Sequence, residues 1–211
     1  MNLKTDLKKV SEQFEKSVSK ETFELIDAQI QLLAKKKLRE NTLKVGEYIP
    51  DFTLNNAVGE QVNIYDLLNE GPIILSFYRG NWCPYCNLEL VAYQEKIDEI
   101  QGKGAQFVAV SPELPDLSLS LIERHSLKYE ILSDIDNGVA RDFGLVFKLS
   151  NELSKLYMQF GIDLEKEQNN SNDELPVPAT YVIDESGKIM LAALNIDYRE
   201  RIDPELAISI L

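Results

Sequence analysis

The segment Pro72–Tyr78, Pro-Ile-Ile-Leu-Ser-Phe-Tyr, runs without a break into Arg79-Gly-Asn-Trp-Cys-Pro-Tyr-Cys86. A nearly continuous apolar run of this length has the texture of a central strand covered on both faces. Pro84 suits the first turn of a helix, where its missing N–H costs nothing and its φ is already helical. Helical spacing then continues through Leu88, Val91, Tyr93, Ile97 and Ile100. The chain is thereby committed to a strand that turns sharply into a helix, with Cys83 and Cys86 at the turn. In open α/β sheets reactive groups gather at the carboxyl ends of strands, and these sulfurs sit at such an end.

Cys83 is expected at the helix N-cap and Cys86 near the third helical position. There both sulfurs feel unsatisfied backbone N–H groups and the positive end of the helix dipole, which favour thiolate over thiol. Side chains three apart in a helical turn have Cβ atoms about 5–6 Å apart, near enough to bridge after modest adjustment. A pair that joins and parts stores two electrons reversibly, which is what thiol–disulfide exchange requires. The chain has no other cysteine. As a structural staple the pair is poorly placed, because so short a loop constrains the unfolded chain very little. A closed zinc site needs four ligands. With one His and no second Cys pair in the chain, neither a metal nor another cofactor is expected. Two inert helix cysteines are the plain alternative. The redox reading needs sulfurs that are accessible and easily ionised.

Around this unit, Gln106–Val110 reads as a second buried strand, Leu117–His125 as a helix and Tyr129–Leu132 as a short strand. Val139–Phe143 begins a further helix, and Lys148–Phe160 is partly helical. Asp163–Glu174 is polar enough to read as a mobile loop, and 179–184 with 188–194 as a strand pair around Glu185-Ser-Gly187. The order is β-α-β-α-β-β, an α/β class. Ahead of it, residues 1–43 read as a helical extension to a domain at 44–211. Leu3, Leu7, Val10, Phe14 and Val18 recur at helical spacing, continued by Phe23, Ile26, Ile30 and Leu33, with a break near Ser17–Lys20. That apolar stripe either packs on the following domain or offers a dimerisation or partner surface, so a homodimer is one expected form.

Charge narrows the function further. Residues 1–40 carry nine Lys/Arg against seven Asp/Glu, and the remainder thirteen against twenty-eight. So acidic a body repels phosphate backbones and anionic lipid, and no nucleic-acid or membrane partner is expected. No secretory signal pattern and no apolar run of membrane-spanning length is visible, which reads as a soluble, cytoplasmic protein. No Ser-His-Asp set, P-loop or dinucleotide fingerprint appears, and His125 reads as a surface or cap residue.

Trp82-Cys83-x-x-Cys86 after a hydrophobic strand resembles the thioredoxin active site, and Pro84-Tyr85 is similar to the glutaredoxin dipeptide. Val177-Pro178-Ala-Thr-Tyr-Val-Ile-Asp184 resembles the later segment of thioredoxin-like reductases, where a cis proline faces the cysteines. That likeness implies a thioredoxin-like fold with a cis Val177–Pro178 bond. A second resemblance spans roughly residues 44–195. Gly46-x-x-x-Pro50-x-Phe52-x-Leu54, Ser76-Phe-Tyr78, Ser133-Asp134, Val139-Ala-Arg-Asp-Phe-Gly144 and Val182-Ile-Asp184-x-x-Gly-Lys-Ile189 are similar to the alkyl hydroperoxide reductase/thiol-specific antioxidant family, the peroxiredoxins. Against that family's pattern Pro-x-x-x-Thr-x-x-Cys, Arg79 replaces the proline, Cys83 replaces the threonine and Cys86 falls on the peroxide-attacking cysteine. Pro178 falls where the family usually carries an arginine.

The resemblance implies a peroxidase that reduces hydrogen peroxide or organic hydroperoxides, with electrons from a thioredoxin- or glutathione-type donor. Its rival is a protein disulfide reductase; a redox-regulated binding protein is a third reading from another class. In the thioredoxin register Cys83, the more exposed sulfur, attacks and Cys86 resolves; in the peroxiredoxin register the roles reverse. Trp82 is expected as a groove wall or a core residue. Tyr78 either brings its hydroxyl to the site or packs, and Arg79 is either a cation near the sulfurs or a surface salt-bridge residue.

Overall fold

The computed structural model of the protein describes residues 2–36 and 38–211. Two helices open it, α1 (Leu3–Ser17) and α2 (Lys20–Lys35). Each starts on a capping side chain: Asn2 accepts the Thr5 N–H at 3.0 Å, and Ser19 accepts the Thr22 N–H at 3.2 Å. The break between them falls at Val18 and Ser19, both extended, where the spacing predicts it. A short α3 (Leu38–Asn41) leads to the hairpin of β1 (Thr53–Asn56) and β2 (Gln61–Asn63), then to α4 (Ile64–Leu68). The strand read as central is β3 (Ile73–Phe77), and every residue of it is buried. After it come α5 (Pro84–Glu95), α6 (Ile97–Gly102), β4 (Gln106–Ser111), α7 (Pro115–His125), β5 (Glu130–Ser133) and α8 (Gly138–Asp142). The chain continues through β6 (Val146–Lys148), α9 (Asn151–Gln159), α10 (Leu164–Gln168), β7 (Glu174–Pro176), β8 (Ala179–Ile183), β9 (Ile189–Leu194) and α11 (Pro204–Ile208).

Seven strands form one mixed sheet in the order β2-β1-β5-β4-β3-β8-β9, with β3, β4 and β5 mutually parallel. β8 lies antiparallel beside β3, and β9 beside β8. Because strand side chains alternate faces, β3 and β4 divide the core in two. Ile74, Phe107 and Ala109 pack on one side with α1, α5 and α11. Ile73, Leu75, Phe77, Val108 and Val110 pack on the other with α4 and α8. Each fully buried aliphatic or aromatic side chain contributes roughly 1.5–3 kcal/mol, so a strand buried on both faces holds its register firmly. β3 therefore presents its carboxyl end at a fixed place.

The apolar stripe of the N-terminal helices packs on the rest of the chain. Leu3 and Leu7 join the cluster that holds both cysteines. Ile26 and Ile30 meet Leu153, Leu156 and Tyr157 of α9 in a third cluster. Segment 163–174 departs from the loop expectation. Asp163 caps α10 by accepting the Lys166 N–H at 3.3 Å, and β7 pairs with β6 as a separate two-stranded sheet. Polar composition hid two apolar anchors, Leu164 and Leu175, which bury in the third cluster. Among the described residues no helix is long and apolar enough to cross a membrane.

Candidate active site

β3 ends at Phe77, and Tyr78–Trp82 turn the chain into α5. Cys83 is the N-cap of α5 and Pro84 its first residue, as read from the sequence; the Asn87 N–H donates to the Cys83 carbonyl at 3.1 Å. Within the turn Gly80 has φ of +149°, and a Cβ there would lie 2.9 Å from Glu113 Oε1 and collide with Trp82 Nε1. Only glycine passes between these two side chains.

The thiols are unpaired, and both are buried, Cys83 at 1% exposure and Cys86 at 0%. The N-cap sulfur is the one nearer the surface, as expected, but neither sulfur is openly accessible, with side chains of α1, α2 and α9 packed around Cys83. Access is by a small cleft of about 80 Å³ that Cys83, and not Cys86, lines together with Trp82, Arg79, Tyr157 and Tyr198. Trp82 meets both expectations, since it lines the cleft and also packs against two core clusters. Tyr78 is a core residue with no exposed surface and does not line the cleft.

Arg79 is no surface residue. It is 3% exposed, donates through Nη2 to the Tyr157 hydroxyl, and lies over the rings of Tyr198 at 4.0 Å, Trp82 at 4.8 Å and Tyr157 at 5.5 Å. Among the described residues no carboxylate forms an ion pair with it. A buried guanidinium demands a counter-charge, and Cys83 is the group placed to supply it.

A second buried guanidinium, Arg201, was not visible as a site residue in the sequence. It follows β9 and reaches back so that Nη2 donates to Cys86 Sγ at 3.2 Å and Nε to Glu89 Oε2. Glu89 also accepts from Thr180 Oγ1 at 3.3 Å, and Arg201 Nη1 donates to the carbonyls of Tyr198 and Glu200, each at 2.7 Å. The one local signal is the position of Glu89, three residues after Cys86 and so on the same face of α5; its burial, which calls for a cation, shows only in the fold. Position 201 itself lies in a charge-rich stretch that reads as solvated surface.

The surroundings push the ionisation of the two sulfurs in opposite directions. Burial would raise the Cys83 pKa, but the Cys86 thiol hydrogen-bonded to it, Arg79 and Arg201 outweigh that and lower it to about 6. Cys86 goes the other way: burial, its role as proton donor to Cys83 and the negative charge there push it well up, with Arg201 and Arg79 opposing only in part. Arg201 is already answered by Glu89, whereas Arg79 has no carboxylate partner, and this favours negative charge on Cys83 over Cys86.

Pro178 lies close by, lining a narrow gap with Arg79, Tyr157 and Tyr198. Its peptide bond is not cis, contrary to the thioredoxin likeness, for the described chain contains no cis peptide bond. The Val177 N–H donates to the Leu145 carbonyl and the Pro178 carbonyl accepts the Asn195 N–H, each at 2.9 Å, so the backbone runs extended from β7 into β8. That path suits the ordinary trans form.

Glu113 is a further residue the sequence reading passed over. Fully buried, it accepts the Asn81 N–H at 2.7 Å through Oε1, while Oε2 has no protein partner. Burial, opposed by the Asn81 N–H and reinforced by Glu167 and Cys83, raises its pKa to about 8. The folded protein therefore keeps a proton that the unfolded chain releases above its ordinary value of about 4.3. Stability from this group is full below that value and is lost as pH rises through about 8. Glu113→Gln keeps the Asn81 contact and removes the titration. Denaturant unfolding at pH 8.5 should find the variant more stable than the native protein, by on the order of 1–3 kcal/mol, with the gap closing by pH 5. An equal loss of stability in both proteins between those pH values would refute this account of Glu113.

Residues 45–192 match the AhpC/TSA family. The chain belongs to that family. Peroxiredoxin Bcp of Escherichia coli (strain K12) is 30% identical over 105 residues, covering 50% of this chain and 67% of that protein. A putative peroxiredoxin of Mycobacterium tuberculosis, MT2597, is 25% identical over 154 residues, 73% of this chain and 87% of that protein. Among solved structures, Peroxidoxin BcpB from Mycobacterium tuberculosis superposes with a TM-score of 0.64 at 22% identity, covering 80% of this chain and 96% of that one. A cysteine-to-serine mutant of Xylella fastidiosa PrxQ gives 0.61 at 13% identity over 80% and 92%. The thioredoxin-like fold expected from the sequence is thus the fold observed. The AhpC/TSA match ends before Tyr198 and Arg201 and begins after α1 and α2, so several groups around these sulfurs lie outside the segment that the family shares.

Proposed function

We propose that the protein is a thiol-dependent peroxidase in which Cys83 attacks the peroxide and Cys86 resolves the product. The Cys83 thiolate displaces at the O–O bond: a sulfur–oxygen bond forms, the alkoxide or hydroxide leaves and takes up a proton, and Cys83 becomes a sulfenic acid. The Cys86 thiol then condenses with it, releasing water and forming the Cys83–Cys86 disulfide. A thioredoxin-type dithiol, or two equivalents of a glutathione-type thiol, then restores both thiols and is itself oxidised to a disulfide. We assign this chemistry to a reducing, cytoplasmic setting, where a disulfide between neighbours is a catalytic state rather than a staple.

One observation carries the reading: the sulfur that bears the charge faces a cavity with room for a small molecule, beside a guanidinium that lacks a carboxylate. Leaving oxygen gathers negative charge in the transition state, and a fixed cation in a dry site is worth far more there than in water. Family membership supports the same chemistry. Trp82 is the only tryptophan and adjoins Cys83, so its fluorescence reports on the site. Mixing the pre-reduced protein with one equivalent of hydroperoxide should change that fluorescence within a second and consume the peroxide stoichiometrically. Reduction of insulin disulfides without peroxide consumption would establish the reductase instead.

A further inference from the structure

The cleft beside Cys83 combines polar and apolar lining. Arg79 lies in it with Cys83, and Arg79 Nε, itself buried, has no acceptor in the protein. Besides the aromatic side chains already described, four apolar side chains line it: Phe14, Ile26, Phe160 and Ile162. Two of these four come from α1 and α2, ahead of the segment matched by the family. Those helices are pinned on either side of the cleft. Leu3 and Leu7 bury in the cluster of the cysteines, and Ile26 and Ile30 bury against α9. Arg199 ties down α2 by donating to Asp27 Oδ1 at 3.0 Å and lying 5.6 Å over the Phe23 ring. Between these anchors Phe14 meets Phe160 edge to face at 6.1 Å.

We infer that the N-terminal helix pair is the specificity element of the site, with Phe14 and Ile26 receiving the apolar substituent of an organic hydroperoxide whose O–O bond lies between Cys83 and Arg79. The inference rests on the peroxidase reading and adds the part of the chain that selects among its substrates. Binding sites that fix a ligand with a few polar groups and an apolar remainder discriminate by the fit of that remainder. One methylene more or less in such a pocket changes relative kcat/KM by about tenfold or more. Hydrogen peroxide has no substituent to meet these apolar side chains.

Phe14 is only partly buried, which makes it the position to vary. In the full chain, kcat/KM is measured by peroxide loss for tert-butyl and cumene hydroperoxides with the native protein, Phe14→Ala and Phe14→Trp. Widening the cleft with alanine should raise the cumene-to-tert-butyl ratio at least about fivefold, and tryptophan should lower it at least about threefold. Opposite shifts of a ratio are not produced by general loss of folded protein. Ratios within twofold of the native value in both variants overturn the inference and leave the peroxidase standing. No turnover of any peroxide by the native protein, with Cys83 still freely alkylated, overturns the peroxidase reading and this inference with it.

Discussion

Cys83→Ser is expected to abolish peroxide consumption, a loss of at least about 10³-fold, whereas Cys86→Ser should complete the first oxidation at near-native rate and then stop. The asymmetry follows from where the pair keeps its one proton. Cys83 is the ionised member, and it alone lines the cleft. A serine hydroxyl at that position titrates far above neutral pH and is no nucleophile toward peroxide. Cys86, held protonated beside Arg201, enters only when a sulfenic acid is available to condense with. In Cys86→Ser that sulfenic acid persists and is trapped by a dimedone-type reagent with a mass shift on Cys83. Alignment with the peroxiredoxin pattern assigns the roles the other way round, so the experiment has a sharp alternative. Trapping on Cys86 in Cys83→Ser, with full first-turnover activity, reverses the assignment.

Arg79→Met should move the ionisation of Cys83 up by about 1–3 pH units, the size of shift that an adjacent opposite charge produces. Native Cys83, with a pKa of about 6, is mostly thiolate at pH 7; raised to about 8, it is roughly one-tenth thiolate there. The pH profile of iodoacetamide alkylation gives this directly, with a native midpoint near 6 and a variant midpoint of 7 or above. Peroxide turnover at pH 7 should fall further than the thiolate fraction does, because the variant also lacks the cation facing the leaving oxygen. At pH 9, where both proteins are ionised, that second loss remains alone. A midpoint unmoved in Arg79→Met would show that the hydrogen bond from Cys86 and the charge of Arg201 hold the thiolate without Arg79.

The linkage sign is opposite for the two buried acids near the turn. Cys83, with its pKa lowered, favours the folded state as pH rises through the range between its folded value and the ordinary thiol value. Glu113, with its pKa raised, disfavours the folded state over much of the same range. Over the pH range they share, the two contributions oppose one another.

Local pattern carried much of this molecule. The apolar run before the cysteines, the proline inside the first helical turn and the sulfur spacing together determined a strand, a turn and an N-capped helix, and each of these depends only on neighbours in the chain. The break between the first two helices and the strand pair around Glu185-Ser-Gly187 were legible for the same reason. What tertiary structure alone decided is everything that hangs on a distant partner. Arg201 reaches Cys86 across 115 positions, Tyr157 meets Arg79 across 78, and Phe14 walls a cleft whose floor is Cys83. The extended path through Val177–Pro178 is held by Leu145 and Asn195, and segment 163–174 by Leu164 within it and Leu175 just after it. Burial and counter-charge are properties of a folded environment. The sequence marked the two sulfurs as reactive, and only the packing around them determined which one holds the charge.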